Sequence, residues 1–254
     1  MVELNHISFS YGKKPVLADI TAKIQKGSLT AVIGLNGAGK STLFGCLSKQ
    51  LYVQSGKVLV ENKNIKDYSY RDYAKLISFV PQLSSMKETD YKVRDFLVEG
   101  RTPYLSAFAV PSINEYLFVE KVAERIGING FLDFDFAKLS GGQQQLILLA
   151  RALVQDTPLI ILDEPMSALD LRNQSFLLKV ISQLSDEGKT IIFSTHNPNH
   201  ALLLGCDVLL MKDGKVICHD TADKCLSAEN MYKVFGESVK LISVGNKSQS
   251  ILVI

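Results

Sequence analysis

Apolar residues gather in short runs at Leu29–Ile33, Ile77–Val80, Leu159–Leu162 and Thr190–Ser194, mostly β-branched residues and leucine. Runs of this length and composition predict strands buried on both faces of a parallel sheet. Between them the spacing becomes helical at Ser41–Leu51, Gln143–Val154 and Leu171–Leu184, the alternation expected of βαβ units. Val2–Phe9 and Gly56–Val60 read instead as antiparallel strands. Lys212-Asp213-Gly214-Lys215, set between Val208–Met211 and Val216–Cys218, carries a hairpin signal. From Leu83 to Lys138 the strand signal lapses and amphipathic pieces, Val93–Val98 and Glu115–Ile126, predict an inserted helical subdomain. The expected fold class is α/β: a parallel-sheet core, an antiparallel β subdomain and a helical insertion at about 83–138. Gly236–Ile254 reads as one or two short strands or a partly ordered extension.

With 254 residues, 46% hydrophobic and 21% charged, the chain has enough material for a full core. No apolar stretch reaches the ~18 residues of a membrane span. The start, Met-Val-Glu-Leu-Asn-His, lacks the basic-then-apolar pattern of a secretory signal, so the cytoplasm is the expected compartment. Lys and Arg number 28 against 26 Asp and Glu, a balance that gives little attraction to a polyanion and argues against a nucleic-acid partner. Cys46, Cys206, Cys218 and Cys225 form no C-x-x-C pair and read as small packing residues of a reducing compartment.

Gly34-Leu35-Asn36-Gly37-Ala38-Gly39-Lys40-Ser41 fits G-x-x-x-x-G-K-[ST], directly after a predicted strand and at the start of a predicted helix. Glycines let successive N–H groups curl around phosphate oxygens, and the helix N-terminus adds the positive end of its dipole. Lys40 is placed to reach the β- and γ-phosphates, and Ser41 to offer its hydroxyl to Mg²⁺. This is the P-loop of an NTPase core, binding ATP with Mg²⁺ through Gly34 to Thr42. The strand Leu159–Leu162 ends in Asp163-Glu164, which puts two carboxylates at the edge where open α/β sheets bind ligands. Asp163 is placed to hold Mg²⁺ and Glu164 to polarise the attacking water as general base.

Leu139-Ser140-Gly141-Gly142-Gln143 precedes a second helix and offers a second ring of exposed N–H groups. Together with Gln82 after Ser78-Phe79-Val80-Pro81, Ser167-Ala168-Leu169-Asp170 after the acids, and His196 after the strand Thr190–Ser194, the chain resembles the ATPase subunit of ABC transporters. The resemblance covers about residues 1–236, leaving 237–254 as a C-terminal extension. It implies a head-to-tail homodimer in which Ser140 and Gly142 of one subunit close on the γ-phosphate held by Gly39, Lys40 and Ser41 of the other, with Gly141 and Gln143 also in the nucleotide site. It further implies that Tyr11 stacks on adenine, Gln82 links Mg²⁺ and water to the helical subdomain, His196 contacts the γ-phosphate and Asp170 belongs to the nucleotide site, while Asn197 stands where relatives often carry an acid.

Val98-Glu99-Gly100-Arg101-Thr102-Pro103-Tyr104 and Thr195-His196-Asn197-Pro198-Asn199-His200-Ala201 are similar to segments of the importers of metal chelates, the class that handles siderophores, haem, cobalamin and some oxyanions. That class implies two transmembrane permease subunits, an extracytoplasmic substrate-binding protein reached through them, and a peripheral position on the cytoplasmic face of the membrane. Gly100–Tyr104 and Gln82 are then expected at the surface that meets the permease. The alternative is a soluble ABC ATPase of DNA repair, translation or iron-sulfur assembly, although the long coiled coil or basic arm of the nucleic-acid types is missing from the sequence. Asn62-Lys63-Asn64-Ile65 lacks the aspartate of a guanine-reading motif, which disfavours a GTPase. A zinc site from His196, His200, Cys206, Cys218 and His219 is disfavoured because Pro198 interrupts the helix that would align the imidazoles.

Overall fold

The computed structural model describes residues 1–83, 91–106, 108–244 and 248–253. They form two compact units, Met1–Asp67 with Leu184–Ile254, and Tyr68–Gln183. The first unit opens with β1 (Val2–Tyr11), β2 (Lys14–Ile24), β3 (Leu29–Ile33), α1 (Lys40–Leu47), β4 (Ser55–Val60) and β5 (Lys63–Asn64). An antiparallel sheet is ordered β2-β1-β4-β5. β2 is absent from the sequence-based expectation, and the reason is local. Asp19 sits at φ +57 opposite an irregular stretch of β1. Its buried residues therefore run Leu17, Ile20, Ala22, Ile24, a pattern broken by one extra residue where strict alternation would have signalled a strand.

α1 stops short of the Leu51 boundary read from apolar spacing. Lys49 turns left-handed at φ +61, and the Leu51 N–H folds back to the Gly45 carbonyl at 2.9 Å. Leu51 then packs where a side chain at position 45 would stand, so its partial burial comes from this return of the chain rather than from a helical stripe.

The second unit contains α2 (Tyr70–Ala74), β6 (Ile77–Val80), α3 (Val93–Val98), α4 (Ile113–Ile126), α5 (Gly141–Val154), β7 (Leu159–Leu162) and most of α6 (Leu171–Asp186). β6 and β7 pair in parallel, Val80 opposite Leu162. The described residues of the expected insertion are mostly in helices and 3₁₀ turns; residues 84–90 and 107 lie outside the described set. α4 begins on a Ser112/Glu115 capping box and ends on left-handed Gly127, start and stop signals the sequence carries openly. The segment Glu99–Tyr104 is a 3₁₀ turn rather than a uniform surface strip. Gly100 packs against the Arg151 backbone of α5, and the Arg101 guanidinium lies 4.2 Å from the Tyr104 ring and 5.0 Å from Phe118 while donating to the Val154 carbonyl at 3.0 Å. Thr102 is exposed.

The chain returns to the first unit with β8 (Thr190–Thr195), α7 (Asn199–Leu204), β9 (Asp207–Lys212), β10 (Lys215–Thr221), α8 (Ala222–Cys225) and α9 (Ala228–Phe235). β3 lies between β8 and β9, parallel to both, and β10 pairs antiparallel to β9. The β9–β10 turn has Asp213 and Gly214 both at positive φ, +47 and +74, as two-residue hairpins require. The extension forms a hairpin of its own, β11 (Val239–Val244) with β12 (Ser248–Val253). The reading of all cysteines as packing residues needs correction. Cys218 and Cys225 are bonded to each other, while Cys46 and Cys206 are buried free thiols. The turn from β10 into α8 brings the Cα atoms to 5.5 Å, a separation that a linear spacing of seven residues does not reveal. Among the described residues no helix is long and apolar enough to cross a membrane.

Candidate functional site

In the first unit, buried β3 delivers the chain into the loop Gly34–Gly39, whose tip, Leu35, Asn36 and Gly37, is exposed. Gly34 passes so close to β9 that an added Cβ would stand 2.5 Å from the Met211 carbonyl oxygen, so the loop cannot begin with any other residue. The Ala38 N–H closes a turn on the Leu35 carbonyl at 3.1 Å. Gly39 caps α1 at φ +100. Lys40 is only 5% exposed, and its ammonium donates to the carbonyls of Gly34 at 2.9 Å and Leu35 at 3.2 Å. The cation is thus held inside the loop. Ser41 is exposed in the first turn of α1, and Thr42 is buried.

β8 places His196 one residue beyond Thr195, which stands opposite Ile33 of β3. His196 is exposed. His200 is buried with its Nδ1 2.9 Å from the Thr195 hydroxyl; burial, and next the neighbouring His196, hold its imidazole below the usual histidine range. Two of the five donors weighed for zinc are thereby engaged elsewhere: His200 bonds Thr195, and Cys218 is in a disulfide. Tyr11 ends β1, half exposed, with its ring edge-on to Phe9 at 4.9 Å.

In the second unit, the Asp163 N–H continues the β6–β7 ladder to the Val80 carbonyl at 2.8 Å. Asp163 and Glu164 beyond β7 therefore share a sheet edge with Pro81 and Gln82 beyond β6. The Asp163 side chain is buried. Glu164 sits at φ +47, a conformation that costs a non-glycine residue about 1–3 kcal/mol and collects at functional sites. The Ser167 hydroxyl and N–H both donate to the Glu164 carbonyl, at 2.9 and 3.1 Å, which fixes that backbone.

Ser140 and Gln143 form a capping box at the start of α5. The Gln143 side chain accepts from the Ser140 N–H at 2.9 Å, and the Ser140 hydroxyl oxygen accepts from the Gln143 N–H at 3.4 Å. The hydroxyl keeps its proton to donate outward. A Cβ on Gly141 would meet Leu83 at 3.4 Å and Ala168 at 3.9 Å, and one on Gly142 would meet Ala168 and Leu169 at 3.5 Å, all ordinary contact distances.

The sequence pattern of the ABC transporter family matches residues 17–167. This chain belongs to the ABC transporter ATP-binding family. A probable iron chelatin transport ATP-binding protein of Helicobacter pylori is 31% identical over 249 residues, 97% of each chain. A metal-chelate type ABC transporter in an inward-facing conformation superposes with a TM-score of 0.86 at 28% identity, covering 100% of this chain and 96% of the other. The ATP-binding cassette MJ0796, in a dimeric post-hydrolysis state with ADP and phosphate, gives 0.74 at 25% identity over 87% of this chain and 99% of the other. Like other ABC ATPases, the protein binds ATP and hydrolyses it.

In this ABC ATPase the structure adds a function for one residue expected at the nucleotide. The Asp170 carboxylate accepts from the Asn173 N–H at 2.8 Å and so caps α6. An aspartate directly ahead of a helical run is a cap signal in its own right. Gln145 was not singled out from sequence, yet its carboxamide is buried with neither polar atom hydrogen-bonded to protein. Its position inside a Gln-Gln-Gln run hides that burial.

Proposed function

We propose that the chain powers a membrane importer of metal chelates by ATP-driven closure of a homodimer attached to two permease subunits at the cytoplasmic face of the membrane. An extracytoplasmic binding protein would deliver the cargo to the permease. The backbone N–H groups of Asn36, Gly37, Gly39, Lys40, Ser41 and Thr42 and the Lys40 ammonium hold the phosphates; Tyr11 stacks on adenine. Ser41, Gln82 and Asp163 supply the hydroxyl, carboxamide and carboxylate oxygens that suit Mg²⁺, a hard cation. Bound there, Mg²⁺ neutralises charge on the phosphates. Glu164 orients the attacking water and takes its proton, His196 contacts the γ-phosphate, and Ser140 to Gln143 with Asp170 act on the nucleotide of the opposite subunit. Residues 1–236 form the ATPase domain in this reading, and 237–254 an extension to it.

The observation that carries the transporter reading is a groove of about 630 Å³ in the second unit, lined by Tyr70, Val98, Thr102, Pro103, Leu105 and Pro111 among others. The chain beside it exposes Phe108 fully, with Val110 and Ile113 largely exposed. An open apolar groove continued by bare apolar side chains is a protein-docking surface rather than solvent-facing structure. Arg71 sets its wall by donating to the Pro103 and Leu105 carbonyls at 3.1 and 2.7 Å. A short amphipathic helix from a permease loop fits such a groove. The names of the iron-chelatin and metal-chelate relatives support the cargo class.

The test is Thr102→Arg, which fills the groove. Hydrolysis by the isolated subunit should stay within about twofold, while the permease should no longer co-purify from gently solubilised membranes. Recovery of ribosomes or an iron-sulfur scaffold with the parent chain, in place of a permease, would favour the soluble alternative.

A further inference from the structure

We infer that Gly214, in the turn between β9 and β10, is a positioning residue for nucleotide binding: its N–H orients the peptide bond between Ala38 and Gly39 so that the Gly39 N–H faces the phosphates. The Gly214 N–H donates to the Ala38 carbonyl at 3.1 Å, and the Gly214 carbonyl accepts from the Ala18 N–H of β2 at 2.9 Å. A trans peptide bond is planar, with its C=O and N–H on opposite sides. Once the Ala38 carbonyl is drawn to the hairpin turn, the Gly39 N–H must point the other way, away from the hairpin. The loop's other visible ties do not fix that peptide. Ala38 N–H goes to Leu35 and the Lys40 ammonium to Gly34 and Leu35.

Packing explains why this position must be glycine. A Cβ on Gly214 would collide with the Val16 carbonyl oxygen and sit 3.4 Å from the Leu17 Cα. A Cβ on Gly39 would meet the same two residues, 3.1 Å from the Val16 oxygen and 2.9 Å from Leu17 Cδ2. Two glycines far apart in sequence therefore close on one stretch of β2. The Leu17 side chain fills the space beside Gly39, and the β9–β10 turn reaches the β2 backbone directly at Val16, so backbone hydrogen bonds link the turn to both the phosphate loop and β2. Gly214 lies at φ +74, so a substitution is strained by conformation as well as by contact. The hairpin signal predicts the turn; that the turn backs the phosphate loop is visible only in the fold.

The inference rests on the proposal that the loop holds the phosphates. It treats the Gly39 N–H as a contact made equally with bound substrate and with the transition state. Losing such a contact raises KM and spares kcat, whereas damage to folding lowers the active fraction and leaves KM alone.

The cleanest test removes the donor and leaves every side chain in place. Residues 206–254 can be synthesised with glycolic acid in place of Gly214 and ligated through Cys206 to a 1–205 fragment ending in a Gly205 thioester, beside an all-amide control made the same way. The expected result is a KM for MgATP raised about threefold to tenfold, the usual worth of one hydrogen bond, a similar loss of ADP affinity, and kcat within about twofold. Gly214→Ala should move KM further in the same direction if it folds; if it does not, the ester protein still decides. An unchanged KM, or a fall in kcat alone, would overturn the role given to Gly214. Lys40→Ala separates this failure from that of the parent reading, since unaltered nucleotide binding in that variant would sink the loop assignment itself.

Discussion

Ile33 and Thr195 stand opposite one another in adjacent parallel strands, so the chain leaves β3 into Gly34 and β8 into His196 at the same sheet edge. An exposed imidazole at this edge fits the contact with the terminal phosphate proposed for His196. His196→Ala should lower kcat by roughly a hundredfold while ATP still binds, as loss of one preorganised donor does. Equal loss of binding and turnover, measured with a fluorescent ATP analogue, would assign the residue to structure.

Glu164→Gln should keep ATP binding and remove the chemical step. Loss of a positioned base slows reaction by about a hundredfold to ten-thousandfold, so the closed state should outlive hydrolysis. Light scattering should find a dimer with MgATP and a monomer with ADP. A variant that hydrolyses at the parent rate would rule out Glu164 as base.

Sites composed from two subunits should complement. Lys40→Ala and Ser140→Arg subunits, each inactive when pure, form a mixed dimer with one doubly lesioned site and one intact site. Some hydrolysis should return on mixing; mixed dimers without activity would count against head-to-tail sites.

Stability should fall in mild acid. His200 and His219 both titrate below the usual histidine value of 6.5, and in each burial is the leading cause. Their folded pKa lies below the unfolded one, so the unfolded chain binds more protons between the two values. Stability is complete above about pH 6.5 and declines as pH drops through the folded pKa. The urea midpoint should therefore decrease from about pH 7.5 to about pH 5.5, and less so in His200→Asn. An unchanged slope in that variant would remove His200 from the account.

Alkylation of the denatured, unreduced protein should label Cys46 and Cys206, and reduction should expose Cys218 and Cys225 as well. Cys225→Ser should cost roughly 2 kcal/mol in urea unfolding of the oxidised protein, the effect of opening a short covalent loop. Labelling of all four before reduction would contradict the bond.

The strand–loop–helix arrangement around Gly34 to Thr42 was legible because its elements are local: strand, glycines, lysine and helix start are contiguous. The position of Asp163 and Glu164 beyond β7 was legible for the same reason, as acids at the end of an apolar run. β2 escaped notice because the residue inserted at Asp19 destroyed its alternation. The cap made by Asp170 is a local signal, an aspartate directly ahead of a helical run, whereas the inward stacking of Arg101 on Phe118 and the Cys218–Cys225 bond escaped because each depends on a partner whose approach sequence spacing does not encode.

What the sequence determined by itself is the set of short-range choices: which runs become buried strands, where α4 and α5 are capped, which turn is a hairpin and which loop can cradle phosphates. Those follow from burial periodicity and backbone sterics within a few residues. Only the tertiary structure decided that Gly39 and Gly214 would close on Val16 and Leu17 from two directions. Contacts between residues so distant in the chain arise from packing three elements together, and no local preference of any one of them specifies the meeting.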